Sequence, residues 1–569
     1  MLFLICSSLA KKIIIKKTIM KKVKKFVNKN SYDPGQTYDQ RKTGLLNLKN
    51  TIVPNDSPVY ILKNLIPADF VENATLPRVH QNYFHSHVTP QQKPAFDEFD
   101  WLKSMSRCYG PCRQAKCSNK LTFDYLQAVL PLPCKNWLQN IQDGQYVNIL
   151  PGTTNIFFKT KMAEAVNEYL AKKPKVPSVL PTTYQKNSQE LIDLFKSGGH
   201  VICKQANNFG GRGSRIASQM SEVPNSKNYV IQKYETDAML YKGHRFENRV
   251  FFLVTNLDPL VAYAHPSGFS RFQKKKFEGV QKGLKPNIQI PMAEQYGANQ
   301  SEWVTDSGFR ANISSRHLLK LFDSDPAGFD SSLPVNSTFI YQQTDLLVGR
   351  VLIQTVNKML PAFGDKFRGF PRRFFHLFGL DQYFLKNGTS KCYEVNGKSP
   401  NIEANVNLDQ SLGYVDIYPQ MMNLVGMRQL EKPVAELKIE YSMEIRQLQK
   451  IIQNKQKIEL DSLTEYEKRC YWQILDEETR LGEFRRIKFE NLMEEFDQPT
   501  YLTQLVYYLK QLGVVGKNYT LQYPEQEQKE QKEIKTQEPQ TEPTVKKSKK
   551  LIKKITIKRK INKKNKDEI

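Results

Sequence analysis

The sequence predicts an α+β protein, and three observations predict it. Strand-like apolar runs at 229–232, 250–255 and 392–395 alternate with helical stretches such as 318–322 and 346–360. Glycine-containing turns separate these runs. A charged, proline-free stretch over 434–496 repeats apolar residues at helical spacing, for example Ile445, Leu448 and Ile452. Mixed periodicities in this order argue a core of sheet and helix together, and not a helical bundle.

Each segment reads as follows. Residues 1–45 are basic and expected to be disordered. Residues 46–195 mix short apolar runs with many prolines, as a mixed α/β region does. Residues 196–433 hold the strand-like runs and form the core. Residues 434–523 read as a helical extension, with one or two long helices across 434–496. Residues 524–545 are almost purely Gln, Glu, Lys, Thr and Pro, which cannot bury a core and predict a flexible linker. A basic tail completes the 524–569 segment.

The net charge is +27, and its placement says more than its sum. Residues 1–30 carry nine lysines and no acids, and residues 546–569 carry twelve Lys/Arg against Asp567 and Glu568. The two ends supply +19, which leaves +8 for the 515 residues between. Basic tails attract polyanions of any kind: nucleic acid, anionic membrane or glutamate-rich protein tails. The opening apolar residues precede their lysines, the reverse of a secretory signal, and the absence of arginine argues against a mitochondrial presequence. No stretch is long and apolar enough to span a bilayer. Eight cysteines in a chain of this length do not make a disulfide scaffold. Cys108, Cys112, Cys117 and Cys134 cluster, with His85 and His87 upstream, but lack the paired CxxC spacing of common zinc sites. Free thiols and a cytoplasmic setting are the simpler expectation.

Three segments carry candidate chemistry. The run Val201-Ile-Cys-Lys204 ends in a lysine, and Gly210, Gly211 and Gly213 follow in a loop. Such a loop lets backbone approach a phosphate, with the lysine as a point charge. Strand alternation puts Glu394 and Asn396 on one face, and Asp381, at the start of a neighbouring strand, can converge on them. Two carboxylates and an amide oxygen are hard ligands suited to Mg²⁺. The run ending in Gln232 and Lys233 can offer main-chain groups to a base edge. Arg245, Glu247 and Arg249 alternate and so share a face. Each feature has a plain alternative: a simple turn, unrelated surface acids, or solvated charges on an edge strand.

Together and in this order, these segments resemble the ATP-grasp core of the tubulin tyrosine ligase-like family, from about Asn148 to Ile487. Lys159 falls near its start. Lys204 with Gly211 and Gly213 resembles the family's lysine and glycine loop. Gln232-Lys233-Tyr234 is similar to its adenine hinge, and Phe246-Glu-Asn-Arg249 to its Phe-Asp-x-Arg, with one methylene more at the acid. Ser267–Phe272 with Arg271, Phe378-Gly-Leu-Asp381, Glu394-Val-Asn396 and the stretch 477–487 complete the series. Gln205 replaces a usual proline, the turn after Asn396 gains a residue, and the family's His-Leu-Thr-Asn stretch has no clear counterpart, with 287–291 lying near its place.

The resemblance implies an ATP- and Mg²⁺-dependent ligase that adds an amino acid, glutamate or glycine, to glutamate side chains of tubulin tails through an acyl phosphate. It places Lys159, Lys204, Gly211, Gly213, Gln232, Lys233, Arg245, Glu247, Arg249 and Arg271 at the nucleotide, and Asp381, Glu394 and Asn396 at the metal. Arg249 and Glu394 are the catalytic candidates. It implies tubulin or microtubules and a free amino acid as partners, and a cytoskeletal or ciliary setting, with nucleic acid disfavoured. The alternative is an inactive member that binds microtubules.

Overall fold

The computed structural model describes residues 150–206, 213–280, 304–368, 374–397, 438–478 and 480–514. It also describes the backbone of four short strands before these and five residues between 417 and 425. The two charged ends, the linker, the four clustered cysteines, Gly211 and the stretch 287–291 lie outside the described residues.

The early strands β1 (Asn82–His85), β2 (Leu102–Lys103), β3 (Tyr125–Gln127) and β4 (Tyr146–Val147) form a parallel sheet ordered β2-β1-β3-β4. A helical turn, Thr154–Phe157, then leads into α1 (Lys159–Lys172). A second sheet is antiparallel and small. It comprises β5 (Thr183–Tyr184), β6 (Val201–Gln205), β7 (Arg215–Ala217) and β8 (Tyr229–Lys233) in the order β5-β8-β6-β7. Helix α2 (Gln189–Lys196) lies between β5 and β6, started by Ser188, whose hydroxyl accepts from Leu191 N at 3.3 Å.

The third sheet carries the molecule. It contains β9 (Leu240–Tyr241), β10 (His244–Leu257), β11 (Leu260–Phe272), β12 (Asn312–Ser314), β13 (His376–Phe384) and β14 (Ser390–Asn396). The main order is β12-β11-β10-β13-β14, all antiparallel, with β9 against β10 and β15 (Arg485–Arg486) against β11. Helices α3 (Ser315–Ser324) and α4 (Ser337–Arg368) link β12 to β13, and α5 (Ile445–Gln453), α6 (Glu465–Glu478) and α7 (Tyr501–Gln511) follow the sheet.

Strand β10 is buried along nearly its whole length, because both faces of the sheet are covered. That explains its unbroken apolar run from Val250 to Val254. On one face Phe252, Val254, Phe378 and Leu380 pack with Val348, Leu352 and Met359 of α4 and with Met162 and Val166 of α1. On the other, Phe251, Leu253, Tyr263 and Leu377 pack with Leu448, Ile474, Leu502 and Leu505. The C-terminal helices therefore form one wall of the same core as the sheet. Buried Glu477 ties them to it, accepting from Thr255 Oγ1 at 2.8 Å and Tyr263 Oη at 2.7 Å.

The runs expected as strands and helices fall within β8, β10, β14, α3 and α4. Two element expectations need correction. The expected long helices over 434–496 are two short ones, of 9 and 14 residues. Lys455 takes a left-handed backbone (φ 52°) just beyond α5, and a reciprocal cap restarts the chain as α6. There Thr464 Oγ1 accepts from Glu467 N (3.3 Å) while Glu467 Oε2 accepts from Thr464 N (2.7 Å). Asp381 lies inside β13 and not at its start. No helix among the described residues is long and apolar enough to cross a membrane.

Candidate functional site

Strands β10, β13 and β14 lie side by side, and their register brings the predicted acids together. Asp381 is the cross-strand partner of Arg249 on one side and of Glu394 on the other. Arg249 grips Asp381 with two hydrogen bonds, Nε to Oδ1 and Nη2 to Oδ2, both 2.6 Å. Asn396 Nδ2 donates to Asp381 Oδ2 at 3.2 Å, and the amide oxygen of Asn396 can act only as an acceptor. Glu394 is held by Lys159 at 2.6 Å from the first turn of α1. Burial would raise the Asp381 carboxyl, but Arg249, Arg271 and Asn396 together hold it below the usual carboxylate range.

A second acid–base pair sits beside the first. Glu247 on β10 faces Arg271 on β11 in register and forms an ion pair with it. Burial raises the Glu247 carboxyl to about 7, with Arg271 opposing that shift. Arg249 and Arg271 flank the ring of Phe269, at 5.1 and 5.4 Å from its centre.

Lys204 approaches from the small sheet. It is only 8% exposed, donates to the Tyr393 carbonyl at 3.4 Å and lies 5.0 Å over the Tyr393 ring. Burial lowers its ammonium to about 8, while Glu394 supports the charged form. Lys159, Lys204, Arg249 and Arg271 thus meet Glu247, Asp381 and Glu394: four cations against three acids, a site with net attraction for anions.

The other candidates spread further. Gln232 and Lys233 end β8; Gln232 Nε2 reaches Thr183 Oγ1 at 3.5 Å, and Lys233 pairs with Glu235 at 2.9 Å. Gly213 occupies a left-handed turn (φ 71°) that only glycine adopts without strain. Arg245 shares the β10 alternation but is caged: it donates to the Glu235 carbonyl at 2.7 Å between the rings of Phe277 (3.9 Å) and Tyr234 (4.6 Å). Among the described residues no three His, Cys, Asp or Glu gather as a metal cluster. The convergent set is two carboxylates and one amide.

Sequence reasoning missed Tyr393. A register shift between Asp381 and Gln382 places Glu394 and Cys392 opposite consecutive residues of β13, so Tyr393 is the extra residue of a β-bulge. Both Tyr393 and Glu394 are half-buried while Cys392 and Val395 beside them are buried, so the bulge breaks strict alternation. The Tyr393 ring stacks on Tyr383 at 4.2 Å. Also missed was His376, which contacts the Gly397 carbonyl next to Asn396 at 2.6 Å. Nothing in a single strand's pattern signals either.

Parts of this chain, including the segment that carries Lys159, Lys204, Arg249 and Arg271, have known counterparts. Residues 138–286 match the Tubulin-tyrosine ligase family. The mouse "Probable tubulin polyglutamylase TTLL2" is 25% identical over 314 residues, 52% of this chain and 54% of its own length. The Caenorhabditis elegans "Tubulin polyglutamylase ttll-5" is 24% identical over 246 residues, 42% of this chain and 32% of its own. The mouse "Tubulin monoglutamylase TTLL4" is 23% identical over 296 residues, 51% of this chain and 24% of its own. The chain therefore spans about half the length of the first of these relatives and less of the others. Over these stretches it is similar to the tubulin tyrosine ligase family.

Proposed function

We propose that this chain is an ATP- and Mg²⁺-dependent ligase that joins glutamate to side-chain carboxylates on tubulin tails. The observation that carries the reading is the single sheet face on which Asp381, Glu394 and Asn396 meet Arg249, Lys159, Lys204 and Arg271. The small sheet bearing Lys204, Gln232 and Lys233, beside a larger sheet bearing the acids, supports an ATP-grasp arrangement. The names of the relatives, polyglutamylases and a monoglutamylase, favour glutamate over glycine.

The donor chemistry fits a divalent cation. Asp381 and Glu394 supply hard anionic oxygens and Asn396 a neutral one, few enough to leave room for water and phosphate oxygens. A bound metal ion would supply charge neutralisation between phosphates. Lys204, Arg249 and Arg271 would stabilise negative charge as the acceptor carboxylate becomes an acyl phosphate and the amine of glutamate then displaces the phosphate. Such catalysis is positioning and electrostatics, in a site already organised before substrate arrives.

The test is mass spectrometry of tubulin tails after incubation with ATP, Mg²⁺ and single amino acids. Mass increments of glutamate that vanish in Glu394→Gln are expected. Tails left unmodified by the wild-type chain under every condition, with microtubule binding intact, would replace the ligase with a binding protein.

A further inference from the structure

Lys204 is delivered by β6 of the small sheet, yet its ammonium is held by the large one. The Tyr393 carbonyl on β14 accepts from Lys204 Nζ at 3.4 Å, and Nζ lies 5.0 Å from the centre of the Tyr393 ring. A lysine is a compact charge on a flexible stem, so a buried one needs something to fix it. An ammonium over an aromatic face is attracted by the negative charge of the π system, and more strongly away from water. At 8% exposure Lys204 meets that condition.

Three features put Tyr393 where it can do this. As the extra residue of the bulge it leaves the regular ladder, and its burial no longer alternates with that of Glu394. Its ring is backed by Tyr383, stacked at 4.2 Å with 19° between the planes and only 1% exposed, and it packs against Ala238 and Leu385. The Cys392 N–H beside it donates to the Val179 carbonyl at 2.8 Å, which moors β14 to the segment entering the small sheet.

We propose that Tyr393 is a positioning residue: its ring and carbonyl hold the Lys204 ammonium on the face that carries Asp381, Glu394 and Asn396, for a nucleotide's phosphates. The inference rests on the ligase reading, which places Lys204 at the nucleotide, and adds a residue that acts only through Lys204. A carboxylate in the same place would hold the lysine but cancel its charge. A neutral ring holds it and leaves that charge for the phosphates.

The experiment is equilibrium titration of the full chain with Mg-ATP and with adenosine. It compares wild type, Tyr393→Phe, the same Phe variant with its ring fluorinated, and Tyr393→Leu, each also combined with Lys204→Met. Tyr393→Phe keeps the ring and should keep Mg-ATP affinity. Fluorination keeps the shape but draws electrons from the ring face, so affinity should fall stepwise with added fluorine, to about tenfold. Tyr393→Leu should show a similar loss; if it melts low, the fluorinated ring decides. Adenosine affinity should not change, and on the Lys204→Met background no change at residue 393 should matter. In the ligand-free chain, Lys204 should take an amine-reactive label several-fold faster once the ring is fluorinated, read by peptide mass spectrometry. If fluorination alters neither Mg-ATP affinity nor labelling, or its effect persists with Lys204→Met, Tyr393 is structural and the inference falls. A matching loss of adenosine affinity would make the ring a floor for the base and overturn the positioning role. Wild type that binds no Mg-ATP yet shows the labelling difference would overturn the ligase reading and keep the hold of Tyr393 on Lys204.

Discussion

Lys204 shows how much a single side chain is shaped by its surroundings. Its charge is buried against Tyr393, which lowers its ammonium to about 8 from an ordinary value near 10.5. The unfolded chain therefore binds this proton more tightly between about pH 8 and 10.5, and stability attributable to this group rises with pH across that window. Below pH 8 the charged lysine is a net cost to the fold. Lys204→Met should accordingly melt no lower than wild type at pH 7 while losing nucleotide affinity, measured by thermal melts and titration. In the wild type, nucleotide affinity should weaken from pH 7 to pH 9 as the ammonium is lost, and Lys204→Arg should flatten that dependence. The two acids should differ in the same assay. Glu394→Gln releases a partly exposed lysine and should abolish turnover with little change in melting. Asp381→Asn strips Arg249 of a doubly bonded partner in a buried setting and should cost about 3 kcal/mol of stability as well.

At the level of elements, the site depends on how closely β10 and β11 approach. Gly268 pairs with Val250 beside a register shift, and a methyl group there would lie 1.9 Å from the Arg249 carbonyl oxygen. Backbone cannot yield as a side-chain tip can. Gly268→Ala should lower stability by about 1–3 kcal/mol and carry nucleotide affinity down with it, because Arg249 rides on the displaced strand. A neutral outcome by melt and titration would mean that the strands separate more freely than their packing implies. The cap on α6 gives a contrasting case. Thr464→Ala should cost about 1 kcal/mol and leave nucleotide affinity alone, since that cap lies among the C-terminal helices.

For the whole molecule, the C-terminal helices are a structural wall, with Leu502, Leu505 and Leu509 buried in the core that Phe251 and Tyr263 share. Removing 498–514 should leave an aggregating or molten chain by near-ultraviolet dichroism and by melting, not a smaller active core. The basic end is expected to behave differently. Twelve cations behind a Gln/Glu/Pro linker attract a polyanionic lattice without needing a docked structure, and that attraction is screened over about 8–10 Å at physiological salt. Deleting 546–569 should weaken microtubule co-sedimentation at low salt and little at high salt, with turnover on a short acidic peptide unchanged. Loss of peptide turnover would assign the tail to the catalytic body.

The sequence by itself determined the element types, the acids and cations, and their order along the chain. Strand and helix periodicity is local, and motif order survives in one dimension. Alternation alone was enough to group Glu394 with Asn396. Only the tertiary structure decided which of these residues meet. Asp381 reaches Arg249 and Glu394 because β13 lies between β10 and β14 in antiparallel register, and no local pattern encodes the neighbour of a strand. The bulge at Tyr393 and the cage that takes Arg245 away from open solvent arise from tertiary contacts. Likewise, the charged stretch that read as an extension became part of the core because its apolar stripe found the open face of the sheet, a choice made by burial and not by propensity.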